Sequence, residues 1–190
     1  MKFLKYPEYE EVSIQELKPM TGILEAGSNL ATINYEHYLN HYPYKQPFTH
    51  AFIHIENGDC INVGLTTKKM RIEKILAKSH YYLAIEIKNL TPTQIEIGKN
   101  YAYSRINRKK QYTIYDAWGF ICFGVRKLGF KSCKSSEKFD FCSDEYVDNF
   151  SAMGEPLFEN MCGETTSPSD IYIKVKDYDN AVIKRIKVEL

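Results

Sequence analysis

The sequence has no excess charge of either sign, no long apolar run, a single tryptophan and no closely spaced cysteine pair. Each shortage closes off a class of function. Lys and Arg number 25 against 24 Asp and Glu, a formal net charge of +1, so there is no electrostatic case for a nucleic-acid-coating protein. No stretch approaches the roughly 18 consecutive apolar residues of a membrane-crossing helix. At the N-terminus Lys5 and Pro7 interrupt the apolar residues, and Glu8, Glu10 and Glu11 follow. That falls short of the apolar core of about 7–15 residues in a secretory signal. The expectation is a chain that is cytoplasmic or otherwise not exported by the Sec route. Its five cysteines (Cys60, Cys122, Cys133, Cys142 and Cys162) are odd in number, which suits reduced thiols. None stands in CxxC spacing, which argues against a structural zinc site, and neither metal nor cofactor is expected. With no repeat and no low-complexity tract, 190 residues at 44% hydrophobic and 26% charged describe one globular domain over 1–190. What the chain has in quantity is tyrosine, 15 residues, with ten phenylalanines beside them.

The local patterns mix strands with helices. Gly22–Ala26 is a short apolar stretch. The tyrosine-dense segment 34–47 carries two prolines and reads as a surface loop, either one wall of a groove or a cap on the sheet. Phe48–Glu56 reads as a strand, Asn57-Gly58-Asp59 as a hairpin turn, and Cys60–Leu65 as the returning strand. Tyr81–Lys88 is a strand by its β-branched and aromatic content, with Ala84, Glu86 and Lys88 as its polar side. Met70–Leu76 is ambiguous. Thr91, Pro92 and Gln94 form a helix start with a capping box, weakened further on by Gly98. A second helix runs from Asp116 as cap to Gly129 as stop, and a third from Cys142 to about Gly154. Residues 171–175 and 181–189 alternate like strands. Strands, helices and strands again predict an α+β domain with a mainly antiparallel sheet.

Cys142 stands out chemically. At a helix start a thiol faces unpaired backbone N–H groups and the positive end of the helix dipole, which favour the thiolate. The same groups suit a developing oxyanion. Asp144 and Glu145 oppose this and call for a cationic partner. His50, on the strand after Thr49, is the candidate base, and His54 on the same strand face is its competitor.

Ordered along the chain stand Leu17-Lys18-Pro19-Met20-Thr21-Gly22-Ile23-Leu24, Thr49-His50-Ala51-Phe52, Tyr115-Asp116, Phe141-Cys142-Ser143-Asp144 and Ser167-Pro168-Ser169-Asp170. In that order, over roughly residues 17–171, the chain resembles the circularly permuted NlpC/P60 (papain-like) cysteine hydrolases, in particular their YiiX-like amidase branch. The resemblance implies an antiparallel sheet or small barrel packed against a helical subdomain that carries the nucleophile helix. It further implies Cys142 as nucleophile, His50 as base, and a peptide or acyl-amide substrate cleaved through a thioester. The histidine precedes the cysteine here, and catalysis needs proximity in space rather than chain order.

The family commonly places a polar third residue, often Glu, on the strand returning from the histidine hairpin. Counting symmetrically across the turn puts that position near Thr66, in a stretch without a carboxylate. Tyr115 is a weaker candidate for binding substrate or oxyanion. Two alternatives remain open: a phospholipase or acyltransferase on the same fold, and an inactive binding module. The bland readings are a core position for Cys122, an exposed loop for Cys133, and a solvated face for the basic cluster Arg105, Arg108, Lys109 and Lys110. His37 and His41 would approach a metal-ligating spacing only on a helix, and Pro43 argues for a loop.

Overall fold

A computed structural model describes residues 4–27, 33, 37, 41–63, 67–76, 80–106, 142–161 and 166–188. In chain order these form β1 (Glu11–Val12), β2 (Thr21–Ala26), β3 (His50–Glu56), β4 (Asp59–Val63), β5 (Thr67–Arg71), β6 (Tyr81–Ile87), α1 (Pro92–Ile106), α2 (Cys142–Ala152), α3 (Pro156–Glu159), α4 (Pro168–Val175) and β7 (Ala181–Ile186). The strands make one seven-stranded sheet in the order β1-β7-β6-β2-β3-β4-β5. Every pairing is antiparallel except β1 with β7. The fold is α+β with a mixed sheet. Among the described residues, no helix is long and apolar enough to cross a membrane. The segment Asp116–Gly129, expected to be helical, lies outside the described residues.

The central strands are covered on both faces, which explains their nearly unbroken apolar runs. On one side Leu24, Ala51, Ile53, Ile55, Leu83 and Ile85 pack with Tyr146, Val147 and Phe150 of α2. On the other, Ile23, Phe52, Cys60, Tyr82 and Ala84 pack with Ile72 and Leu76. The expected polar side of β6 is therefore covered too. Glu86 is only 4% exposed, and Lys18 Nζ at 3.1 Å and Lys184 Nζ at 3.3 Å hold its carboxylate.

The β3–β4 turn is tighter than the three residues expected. Asn57 (φ 50°) and Gly58 (φ 79°) both adopt the left-handed region, as a two-residue type I′ hairpin requires. Glu56 then pairs with Asp59, and the register shifts between His54 and Glu56.

Residues 171–175 are a helix and not a strand. Ser167 Oγ accepts from the Asp170 N–H (3.1 Å), Asp170 Oδ2 accepts from the Ser167 N–H (2.9 Å), and Pro168 occupies the first turn. This reciprocal cap overrides a five-residue alternation, and Ile171, Tyr172 and Val175 are buried at helical spacing. The start of α1 is built as its sequence suggests: Gln94 Oε1 accepts from the Thr91 N–H, and Thr91 Oγ1 accepts from the Gln94 N–H.

The tyrosines are largely interior. Tyr42 and Tyr44, from the expected surface loop, are buried in the main core. Tyr6 stacks between Tyr44 (4.8 Å, 13°) and Tyr81 (5.4 Å, 3°) and meets the edge of Tyr172. Tyr9 and Tyr172 share a hydrogen bond of 2.8 Å between their hydroxyls.

Gly22 permits a close approach of helix to sheet. A Cβ there would stand 1.9 Å from Tyr146 Oη and 2.3 Å from its Cζ, with the tyrosine fully enclosed. Gly22→Ala is expected to lower unfolding free energy by about 1–3 kcal/mol through overpacking, read as a reduced urea midpoint.

Candidate active site

Cys142 is the first residue of α2. Tyr146, Val147 and Phe150 seat that helix on the sheet. Arg105 Nε donates to Glu145 Oε2 at 2.7 Å, and Asn149 Nδ2 donates to the Gly98 carbonyl at 3.2 Å, so α1 braces α2 from the side. Arg105 is buried and does not belong to a solvated basic face.

His50 opens β3, and the chain leading into it is clamped. The Phe48 N–H donates to Ser169 Oγ at 3.0 Å, and that hydroxyl donates to the Phe48 carbonyl at 3.1 Å. The Thr49 N–H donates to the Glu25 carbonyl at 2.8 Å. The Ser-Pro-Ser-Asp segment therefore acts as a scaffold: Ser167 caps α4, and Ser169 fixes the approach to the histidine.

Two side chains hydrogen-bond the half-buried imidazole. Asn62 Oδ1 lies 2.6 Å from His50 Nε2. An amide oxygen only accepts, so Nε2 carries the proton and Nδ1 is left for the Cys142 sulfur. Burial pulls the imidazolium pKa down. The electrostatic attraction and hydrogen bond of Cys142, then the bond to Asn62, outweigh burial and push His50 up to about 9. A protonated imidazole beside a sulfur stabilises negative charge on it.

Of the residues singled out from sequence, Cys142 and His50 lie together. Thr66 and Tyr115 lie outside the described residues, as do Cys122, Cys133 and Cys162. His54 has other duties. Its Nδ1 meets the Lys18 carbonyl at 2.9 Å and its Nε2 accepts from the Gly58 N–H at 3.1 Å. One donor and one acceptor nitrogen define a neutral ring that locks the hairpin, and burial pulls its pKa down. Cys60 is enclosed beneath Phe52 and Ile72, and burial pushes its thiol well up, away from reactivity. His37 points its two nitrogens at the Tyr42 and Lys45 carbonyls, at 3.3 and 3.2 Å. Among the described residues, no group of three or more His, Cys, Asp or Glu could hold a metal.

Asn62 escaped sequence reasoning because the count ran across a three-residue turn to the position directly opposite. The turn has two residues, and the register relation that pairs Ile53 with Ile61 and His54 with Cys60 sets Asn62 opposite Phe52. The amide then reaches His50 diagonally, on the same strand face. A polar residue at the even position of β4 was the available signal. No protein-family model and no curated protein sequence matches this chain, so the reading of the site rests on its own geometry.

Proposed function

We propose that the chain is a cysteine hydrolase of amide bonds, with Cys142 as nucleophile, His50 as general base and then acid, and Asn62 as the group that orients the imidazole. The observation that carries this reading is the imidazole held between a thiol at a helix start and an amide oxygen. A Cys-His-Asn arrangement is the set of papain-like proteases, and the ordered motifs support the permuted NlpC/P60 version of that fold.

In the first half-reaction the Cys142 sulfur bonds to the carbonyl carbon and the carbonyl electron pair moves onto oxygen. Backbone N–H groups at the start of α2, which lack intrahelical partners, suit that oxyanion. Collapse breaks the C–N bond, the leaving amine takes the proton of His50, and a thioester remains. His50 then removes a proton from water. The hydroxide adds to the thioester, and the carboxylic acid leaves as the thiolate and imidazolium are restored. Asn62 supplies the polar partner for His50 whose apparent absence motivated the inactive-module alternative.

The sign of the pH dependence follows from His50. Its value lies near 9 instead of 6.5, so the acid that serves the leaving amine persists through neutral pH and is lost as pH rises through about 9. A plot of kcat/KM is expected to fall tenfold per unit above that point. At pH 6.5, carboxymethylation of Cys142 should run about tenfold or more faster than in His50→Ala. Equal rates in the two proteins would overturn the pair. Turnover of ester lipids with none of peptide or acyl-amides would overturn the amide assignment and favour the lipid chemistry.

A further inference from the structure

The sheet carries a second polar pair beside His50, and the proposed mechanism does not use it. Glu25 on β2 is the cross-strand partner of His50 on β3, so the two side chains leave the same face of the sheet side by side. Glu25 follows the apolar run Ile23–Leu24 on the largely buried strand Thr21–Ala26, an expensive position for a carboxylate without a partner. Its Oε1 lies 2.5 Å from Nδ1 of His80, and the two side chains are 14% and 23% exposed. A Cβ at Gly27 would meet Thr49 Oγ1 at 2.9 Å, Glu25 Oε1 at 3.6 Å and His80 Cε1 at 3.6 Å. The tight contact is with the Thr49 hydroxyl, which accepts from the Gly27 N–H at 3.1 Å, and the pair lies at ordinary contact distance beyond it. His80 thus fixes the carboxylate much as Asn62 fixes the catalytic imidazole.

We infer that Glu25, aimed by His80, is a positioning residue that supports the His50 ring from β2, the strand flanking β3 on the side away from Asn62, so that the Cys142–His50 pair works beside a fixed carboxylate. This role rests on the dyad reading above. The groups facing His50 can be named element by element. Cys142 comes from α2, Asn62 from β4, Glu25 from β2 with His80 behind it, and Phe52 stacks from its own strand at 5.8 Å. From β5, exposed Lys68 stands across from Asn62. The negative charges of Cys142 and Glu25 both favour the imidazolium. Removal of Glu25 leaves Cys142 and the hydrogen bond to Asn62 to do so.

The test is an NMR titration of the His50 ring in the 190-residue chain, which needs no substrate, on wild type, Glu25→Gln, Glu25→Asp and His80→Gln. Glu25→Gln keeps the size and an acceptor for His80 but drops the charge. Its His50 midpoint should fall from about 9 by roughly half to one unit, with the alkaline limb of kcat/KM moving equally. Glu25→Asp should restore most of the difference. His80→Gln should give a smaller fall, and it supplies the reading if Glu25→Gln does not fold. A wild-type midpoint near 9 that neither Glu25→Gln nor His80→Gln moves overturns the role of Glu25 and leaves the dyad standing. Equal falls in the Gln and Asp variants of Glu25 also overturn it, since they indicate packing. A wild-type midpoint near 6.5 overturns the dyad and Glu25 together.

Discussion

Cys142→Ala is expected to remove amide hydrolysis altogether, a loss on the order of 10⁴-fold or more in kcat/KM, while the unfolding midpoint stays close to wild type. The side chain is only half-buried and heads its helix rather than filling the core, so its truncation opens no large cavity. His50→Ala is expected to give a loss of similar size. The double variant should be no worse than either single one, because nucleophile and base act as a unit and either deletion disables both. Asn62→Ala should lose less, since base and nucleophile remain and only the ring's orientation is freed. Substrate turnover and a thermal melt on the same preparations check all three points. Single losses that multiply in the double variant would mean that Cys142 and His50 act independently, and the thioester route would fall.

The largest expected stability effect lies one turn deeper along the same helix, where Arg105 of α1 meets its Glu145. Arg105→Ala is expected to cost about 3–5 kcal/mol, because it leaves the Glu145 carboxylate buried without its 2.7 Å partner. The two side chains are 6% and 2% exposed, so water cannot readily take over. A paired apolar exchange, Arg105→Met with Glu145→Met, should recover most of that loss, since the buried carboxylate goes together with its guanidinium. Urea unfolding of the single and double variants measures both numbers. Glu145 lies three residues after Cys142, so the single variant should also lower kcat before it unfolds the chain.

Much of this arrangement could be read from local signals. Asn57-Gly58 announced a hairpin because few residues tolerate a left-handed backbone. Thr91 with Gln94 announced a helix start because the cap closes within four residues, and Cys142 was placed at a helix start by the acidic first turn behind it. The failures share another cause. Arg105 looked solvated among basic neighbours, yet its partner lies 40 residues away. Asn62 depended on turn length and a register shift, and neither is written in the identity of position 62. Glu25 reads as an isolated acid on an apolar strand until β3 is laid beside it. At 171–175 a five-residue alternation reads as a strand, and the decisive Ser167–Asp170 cap stands in the sequence as a family motif and not as the start of a helix.

The stacked tyrosines have an optical consequence. Tyr6 lies in a sandwich of phenol rings only a few ångströms apart, and burial pushes the hydroxyls of Tyr6, Tyr42 and Tyr172 far above their usual range, with Tyr81 raised to about 12. Closely stacked chromophores that do not ionise in mild alkali give a near-ultraviolet signal distinct from that of surface phenols. The segment leading into β1 thus carries its own spectroscopic label, which reports whether that strap is seated on the sheet end next to the active site.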